Sequence, residues 1–250
     1  MSGWLRVVGL GAGNEEWLTP EASDVLRQAT DIVGYTPYVT FVPETVTVTR
    51  HASDNGVEVQ RAEFALDLAE KGAKVAIVSG GDAGIFGMAA AVFEAVEKGK
   101  ASWRQLDIEV IPAVSAMLAA AAKIGAPLGH DFCVISLSTY LKSWEIIEKR
   151  LRAASAGDFV LAIYNPTSKH RTQDLINSIN LLIELRGKDT IVVIATDIGR
   201  KGEEVAITTL GELDVGLVTM RSLLIIGSTH TRNIERENRQ PFVFTPRFYS

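Results

Sequence analysis

Asp82 sits in a run of small residues, Ser79-Gly80-Gly81-Asp82-Ala83-Gly84-Ile85-Phe86-Gly87, directly behind the apolar stretch Val75-Ala76-Ile77-Val78. A second loop, Gly9-Leu10-Gly11-Ala12-Gly13-Asn14, follows Val7-Val8 in the same way. Glycine admits positive φ and leaves main-chain N–H and C=O groups open to a ligand that a Cβ would screen. One such loop at a strand end is ordinary. Two in one half of a chain point to a crevice at the carboxyl edge of a parallel sheet, where open α/β folds hold small molecules. Three cationic clusters follow: Lys169-His170-Arg171, Arg200-Lys201 and His230-Thr231-Arg232. The first would crowd positive charge into the opening turn of a helix capped by Thr167 or Ser168, where the macrodipole disfavours it unless an anion or acidic neighbours compensate. In a chain of net charge −5, bases gathered at strand ends suit a polyanionic small molecule rather than nucleic acid.

Other chemistries fit less well. The first loop departs from the dinucleotide fingerprint: Gly13 comes one residue early, and the helix signal Thr19-Pro20-Glu21 begins six residues beyond it. No acid closes the second strand; Asp31 precedes it and reads as a solvated loop carboxylate. His51, His130, His170 and His230 lack metal-ligand spacing, and no G-x-S-x-G serine occurs. Cys133 is the only cysteine; within Phe132-Cys133-Val134-Ile135 it reads as a buried, inert thiol. With no local nucleophile, the pattern suits a group transfer that depends on positioning.

The elements that would hold these groups alternate. Apolar runs at 5–10, 32–35, 75–78, 108–111, 132–137, 159–164, 190–195, 205–209 and 223–226 read as strands, several of them covered on both faces. Helical spacing recurs over 57–70 and 144–154, and Thr19-Pro20-Glu21 opens a helix. This is an α/β pattern in a chain of 250 residues that is 47% hydrophobic and 22% charged. Ile111-Pro112-Ala113-Val114-Ser115 ends a strand before an alanine-rich helix, so the domain boundary is expected there, giving domains at 1–114 and 115–250. Short connections in the last third, with a strand-like tail at Phe242-Val243-Phe244, predict antiparallel strands in the second domain. The N-terminus lacks a signal-peptide pattern, and the longest apolar stretch, 116–122, is far short of the roughly 20 residues of a membrane helix. A cytoplasmic location is the expectation.

In order, residues 9–14, 79–87, 111–116, 164–171 and 205–213 resemble the motifs of the tetrapyrrole (precorrin) methylases. The run Gly125-Ala126-Pro127-Leu128-Gly129-His130-Asp131-Phe132, with Ile135-Ser136-Leu137-Ser138, Trp144-Glu145, Tyr164-Asn165-Pro166, residues 199–205 and Thr245-Pro246-Arg247, is similar to the C17 branch of that family. The resemblance covers Leu5 to Tyr249. It implies two αβα domains with a cofactor cleft between them, a homodimer, and methyl transfer from S-adenosylmethionine, leaving S-adenosylhomocysteine. The implied reaction methylates C17 of precorrin-3B and contracts the ring to precorrin-4 in cobalamin biosynthesis. Carried over residue by residue, it assigns Gly80, Gly81, Asp82, Ile85, Ser115, Ala116, Asn165 and Thr208 to the cofactor. Leu10, Gly11, Ala12 and Gly13 would border the substrate. Lys169, Arg171, Arg200 and Arg232 are candidates for its peripheral carboxylates. Asp82 is a candidate for orienting the reactants, and His130, His170 and His230 for moving protons during contraction. The chain departs from the family at Ala12 and Ala83, where proline is usual, and at Ala113, where glycine is usual. Methylation at C11, C20 or C2/C7 of a related ring, or a nucleotide-binding module without catalysis, remain alternative readings.

Overall fold

The computed structural model describes residues 3–13, 15–44, 48–168 and 171–248. It divides into two compact units, Met1–Ala116 and Met117–Ser250, so Ser115 and Ala116 go with the first unit. In chain order the first unit comprises β1 (Trp4–Gly9), α1 (Pro20–Gln28), β2 (Asp31–Tyr35), α2 (Thr36–Val39), β3 (Thr49–Ser53), α3 (Glu58–Glu70), β4 (Lys74–Ser79), α4 (Met88–Lys98) and β5 (Asp107–Ile111). Its strands form one parallel sheet in the order β3-β2-β4-β1-β5.

The near-continuous apolar strands follow from burial on both faces. Leu5, Val7, Val75 and Ile77 pack against α3 and α4 through Ala62, Leu66, Met88 and Val92. Their alternates Val8, Ala76 and Val78 pack with Ile32 against Ala22 and Leu26 of α1. Thr19 caps α1 as its sequence implies, its Oγ1 accepting the Ala22 amide (3.1 Å). The chain leaves β1 toward β2 on one side and leaves β4 toward β5 on the other. These neighbours are therefore the topological switch point, and both glycine loops issue from their carboxyl ends.

The second unit carries α5, which opens with the last residue of the first unit (Ala116–Ile124), then β6 (Gly125–Ala126), β7 (Phe132–Ser136), α6 (Trp144–Ala156), β8 (Val160–Tyr164), α7 (Gln173–Arg186), β9 (Ile191–Thr196), β10 (Glu204–Thr209), β11 (Ser222–Ile226), β12 (Arg232–Arg236) and β13 (Arg239–Phe244). A mixed sheet runs β10-β9-β11-β8-β7; β7 and β8 are parallel, and the other pairings are antiparallel. A smaller sheet joins β12, β13 and β6. One face of the mixed sheet buries Ile135, Leu161, Ile163, Ile194 and Leu224 against Ile147 and Leu151 of α6 and Leu175 and Leu182 of α7. No helix among the described residues is long and apolar enough to cross a membrane.

Some local readings change. β3, β6 and β12 carry no apolar run; β3 is the polar edge strand Thr49-Arg50-His51-Ala52-Ser53. Asp31 is the first residue of β2 rather than a solvated loop carboxylate, with Oδ1 2.7 Å from His51 Nε2. Neither Thr167 nor Ser168 caps α7, which begins at Gln173 after Thr172. Thr167 is buried instead, its Oγ1 donating to the Arg171 carbonyl (3.4 Å). Cys133 is half-buried, and burial pushes its thiol up from the ordinary value.

Candidate functional site

At the switch point the two glycine loops pair with each other. The Gly11 amide donates to the Gly81 carbonyl (3.2 Å) and the Gly81 amide to the Gly11 carbonyl (2.7 Å), while Leu10 N–H reaches the Ser79 carbonyl (2.9 Å). Gly11 (φ 75°) and Gly81 (φ 69°) adopt left-handed conformations that few side chains tolerate. The amides a phosphate would need are thus partly consumed. Leu10 and Ala12 are buried, and the Leu10 side chain belongs to the core beside α1 rather than to an open surface. Gly13 is half-buried.

Asp82 holds this arrangement with both carboxylate oxygens. Oδ1 accepts the Gly84 amide (2.8 Å) and Oδ2 the Ala113 amide (2.9 Å), tying the second loop to the segment that leads from β5 to α5. That segment delivers Ser115, whose buried Oγ has no hydrogen-bond partner. A Cβ at Gly81 would point at Ala116 N (3.8 Å) and Ser115 Cα (3.9 Å), so glycine leaves a hollow beside the orphaned hydroxyl. Gly80, Gly81, Asp82, Ser115 and Ala116 are brought together, and Ile85 follows in the same loop, its amide donating to the Asp82 carbonyl (3.3 Å).

The sequence reading missed Tyr38, whose ring covers Gly80: a Cβ there would lie 2.6 Å from Tyr38 Cε1. Its signal was Tyr35-Thr36-Pro37, a proline that starts a helical turn at the end of β2.

In the second unit the carboxyl edge of β8 carries Asn165, held at φ 50°. Asparagine tolerates that region better than most residues. Its Nδ2 donates to Ser136 Oγ (3.1 Å), and its carbonyl accepts Arg171 Nη1 (3.2 Å), which also reaches the Leu137 carbonyl (2.7 Å). Arg200 lies on the same edge, in the turn between β9 and β10, where Glu203 accepts the Gly199 amide (2.7 Å) and pairs with Lys123 (2.8 Å). Tyr164 ends β8, and its hydroxyl accepts the Met117 amide at the start of α5 (3.1 Å).

Other expected site residues lie elsewhere. Thr208 shares a rung with Val192, Ile226 and Leu161, which puts it three strands across the sheet from β8 and four residues short of the level of Asn165. That is about 14 Å across and about 13 Å along the strands. His130 precedes β7, and His230 follows the antiparallel β11, so both stand at the amino edge of β8, as does Arg232 at the start of exposed β12. The Asp131 amide donates to His130 Nδ1 (2.7 Å), which makes that nitrogen an acceptor. Lys169 and His170 lie outside the described residues.

His230 belongs to a cluster of its own. Asp158 accepts the Thr229 amide (2.9 Å) and hydroxyl (2.6 Å), and His230 Nδ1 is 3.6 Å from the same carboxylate. Burial alone would raise the Asp158 pKa, but the Thr229 hydrogen bonds and His230 overcome it and hold the carboxyl below its ordinary value. A lowered folded-state pKa stabilises the protein above the unfolded value, and this is lost as pH falls through the folded value. Urea denaturation below about pH 4 should therefore show a shallower loss of stability in Asp158→Asn than in the parent; equal slopes would remove Asp158 from the acid response.

The chain matches the family described as Tetrapyrrole (Corrin/Porphyrin) Methylases over residues 5–214. A Sinorhizobium sp. protein named Precorrin-3B C(17)-methyltransferase is 46% identical over 250 residues, covering 100% of this chain and 98% of that protein. A Salmonella typhimurium protein named Probable cobalt-factor III C(17)-methyltransferase is 43% identical over 91% of this chain and 93% of its own length. The crystal structure of the methyltransferase CobJ superposes with a TM-score of 0.93 at 42% identity, covering 98% of this chain and 100% of that one.

Proposed function

The chain belongs to the tetrapyrrole methylase family, and from that premise we propose that it is an S-adenosylmethionine-dependent methyltransferase acting on C17 of precorrin-3B, with ring contraction to precorrin-4, in cobalamin biosynthesis. The observation that carries this reading is the buried, unpartnered Ser115 hydroxyl beside the hollow at Gly81, at the switch point of the first sheet. The orphaned donor and the missing Cβ fit a polar ligand of the donor's kind. When bound, S-adenosylmethionine supplies a methyl group already activated by its sulfonium, so the protein needs no nucleophile of its own.

The residues contribute position. Ser115 offers a hydroxyl that burial leaves uncompensated, and such a group gains most from a ligand partner. The Gly11–Gly81 pair fixes the two loops against each other before any ligand arrives. Asp82 acts through main-chain amides, which makes it a positioning residue; its two oxygens hold the loop and the segment carrying Ser115 in register. Preorganisation of this kind converts binding into orientation of the reacting atoms. On the second unit, Arg171 and Arg200 supply positive charge at the carboxyl edge of β8 and β9 for the substrate's carboxylates.

The purified protein should bind S-adenosylmethionine in calorimetry and convert precorrin-3B to a product carrying one added methyl group. Carbon-13 NMR should place that group at C17, and a label at C11 or C20 would move the chain to another branch. The absence of both binding heat and product at saturating donor would overturn the reading. Because the Salmonella relative is named for cobalt-factor III, the cobalt-containing ring is the second substrate to assay.

A further inference from the structure

The loop from β7 to α6 is built to a fixed shape, yet it presents apolar side chains to water. Ser136 Oγ accepts the Ser138 amide (3.2 Å), Ser138 Oγ accepts the Tyr140 amide (3.4 Å), and Thr139 Oγ1 donates to Asp174 Oδ2 (3.0 Å). At its start the Leu137 carbonyl accepts Arg171 Nη1 (2.7 Å). On this frame Tyr140 is 73% exposed and Leu141 88% exposed. Ile146 on α6 is exposed as well, and Arg150 lies four residues on, along the same helix face. A preorganised, exposed apolar tip usually marks a contact site.

Cations outnumber carboxylates on it, with Lys142, Lys149, Arg150 and Arg171 against Glu145, Glu148 and Asp174. Among the described residues no ion pair involves Lys142, Arg150 or Arg171. Of the nearby carboxylates, Asp174 accepts from the Thr139 hydroxyl, Glu145 from Ser143, and Glu148 pairs with Arg152 (2.8 Å). Burial first, then Arg150 and Arg171, push the Lys142 amine below its ordinary value. The patch stands on the same sheet edge as Asn165 and the Arg200 turn.

We propose that residues 137–150 together with Arg171 form a recognition surface for the macrocyclic substrate, with Tyr140 and Leu141 against an apolar face of the ring and Lys142, Arg150 and Arg171 receiving its peripheral carboxylates. The proposal rests on the precorrin reading, because a macrocycle with apolar faces and an acidic rim is what an apolar tip bordered by cations would receive. It gives Tyr140, Leu141, Lys142 and Arg150 a part in substrate specificity.

The test uses the full chain, with the double variant Lys142→Glu/Arg150→Glu and with Tyr140→Ala set beside Tyr140→Phe. The charge reversals should raise KM for precorrin-3B about tenfold and flatten its dependence on ionic strength. The maximal rate kcat and the affinity for S-adenosylmethionine should stay at parental values. Tyr140→Ala should raise KM, and Tyr140→Phe, which keeps the ring, should restore it. Unchanged KM in the double variant would overturn the proposal while leaving the methyltransferase reading intact. If the parent turns over no precorrin, that reading fails, and quenching of tryptophan fluorescence by uroporphyrin, a stable polycarboxylate macrocycle, decides the surface separately. Weakened quenching in the double variant then supports a site for an acidic macrocycle, and equal quenching overturns it.

Discussion

Asp82→Ala is expected to lower kcat/KM by about two orders of magnitude while the protein stays folded. The carboxylate accepts two main-chain amides, from Gly84 and from Ala113, and alanine leaves both without a partner. A buried unsatisfied amide costs about 1–3 kcal/mol, and the half-exposure of Asp82 lets water replace part of the loss, so the stability change should sit near the low end. Activity suffers more, because the freed segment carries Ser115 and a misplacement of about 1 Å can cost about a hundredfold. Asp82→Asn sharpens the test. An amide can accept at one of the two positions but turns an NH2 toward a donor at the other, so its rate should fall between parent and alanine. The pH profile of kcat should keep its shape in both variants, since the carboxylate is a hydrogen-bond acceptor and moves no proton. Loss of one limb of that profile in Asp82→Asn would make Asp82 an acid or base, and parental rates in Asp82→Ala would remove it from the site.

The difference between what could be read in the residues and what needed the fold follows strand direction. Each apolar run became a strand, because near-continuous Val, Ile and Leu report burial on both faces, and both glycine loops follow such strands. Polar edge strands such as β3 give no such signal; its residues are drawn into the sheet by pairing with β2 alone. The Gly11–Gly81 pairing also lay beyond the sequence, since it depends on which strands neighbour one another. The histidines show the same limit more strongly. His130 and His230 are candidates for moving protons on residue type alone, but His130 precedes β7 and the antiparallel entry of β11 carries His230 to the same amino edge of β8. Local composition says that a residue adjoins a strand, and only the register says at which end. The cationic clusters divide on that ground, with Arg171 and Arg200 on one edge and Arg232 on the other.

Gly9→Ala is expected to destabilise the first unit by about 1–3 kcal/mol or more and to abolish binding of S-adenosylmethionine. A Cβ at Gly9 would lie 2.6 Å from the Ala113 Cβ, 2.8 Å from the Gly81 carbonyl oxygen and 3.2 Å from Ala83 N. None of these neighbours is free to retreat. The Gly81 carbonyl accepts Gly11 N–H, the Ala113 amide is held by Asp82, and Ala83 is fully buried. The strain therefore passes into both glycine loops at once. Two backgrounds should relieve it for separate reasons. Ala113→Gly removes the nearest atom but leaves the Gly81 oxygen, so the double variant should recover part of the stability. Asp82→Ala releases the 113 segment, so Gly9→Ala should cost less there than in the parent. Coupling between residues in direct contact runs about 0.5–3 kcal/mol, well above the scatter for independent sites. Urea denaturation of the four members of each cycle reads it directly. Additive changes in both cycles would mean that the loop and the 113 segment do not brace each other. Coupling in the Ala113 cycle alone would confine the strain to the Cβ–Cβ contact and limit Asp82 to shaping its own loop.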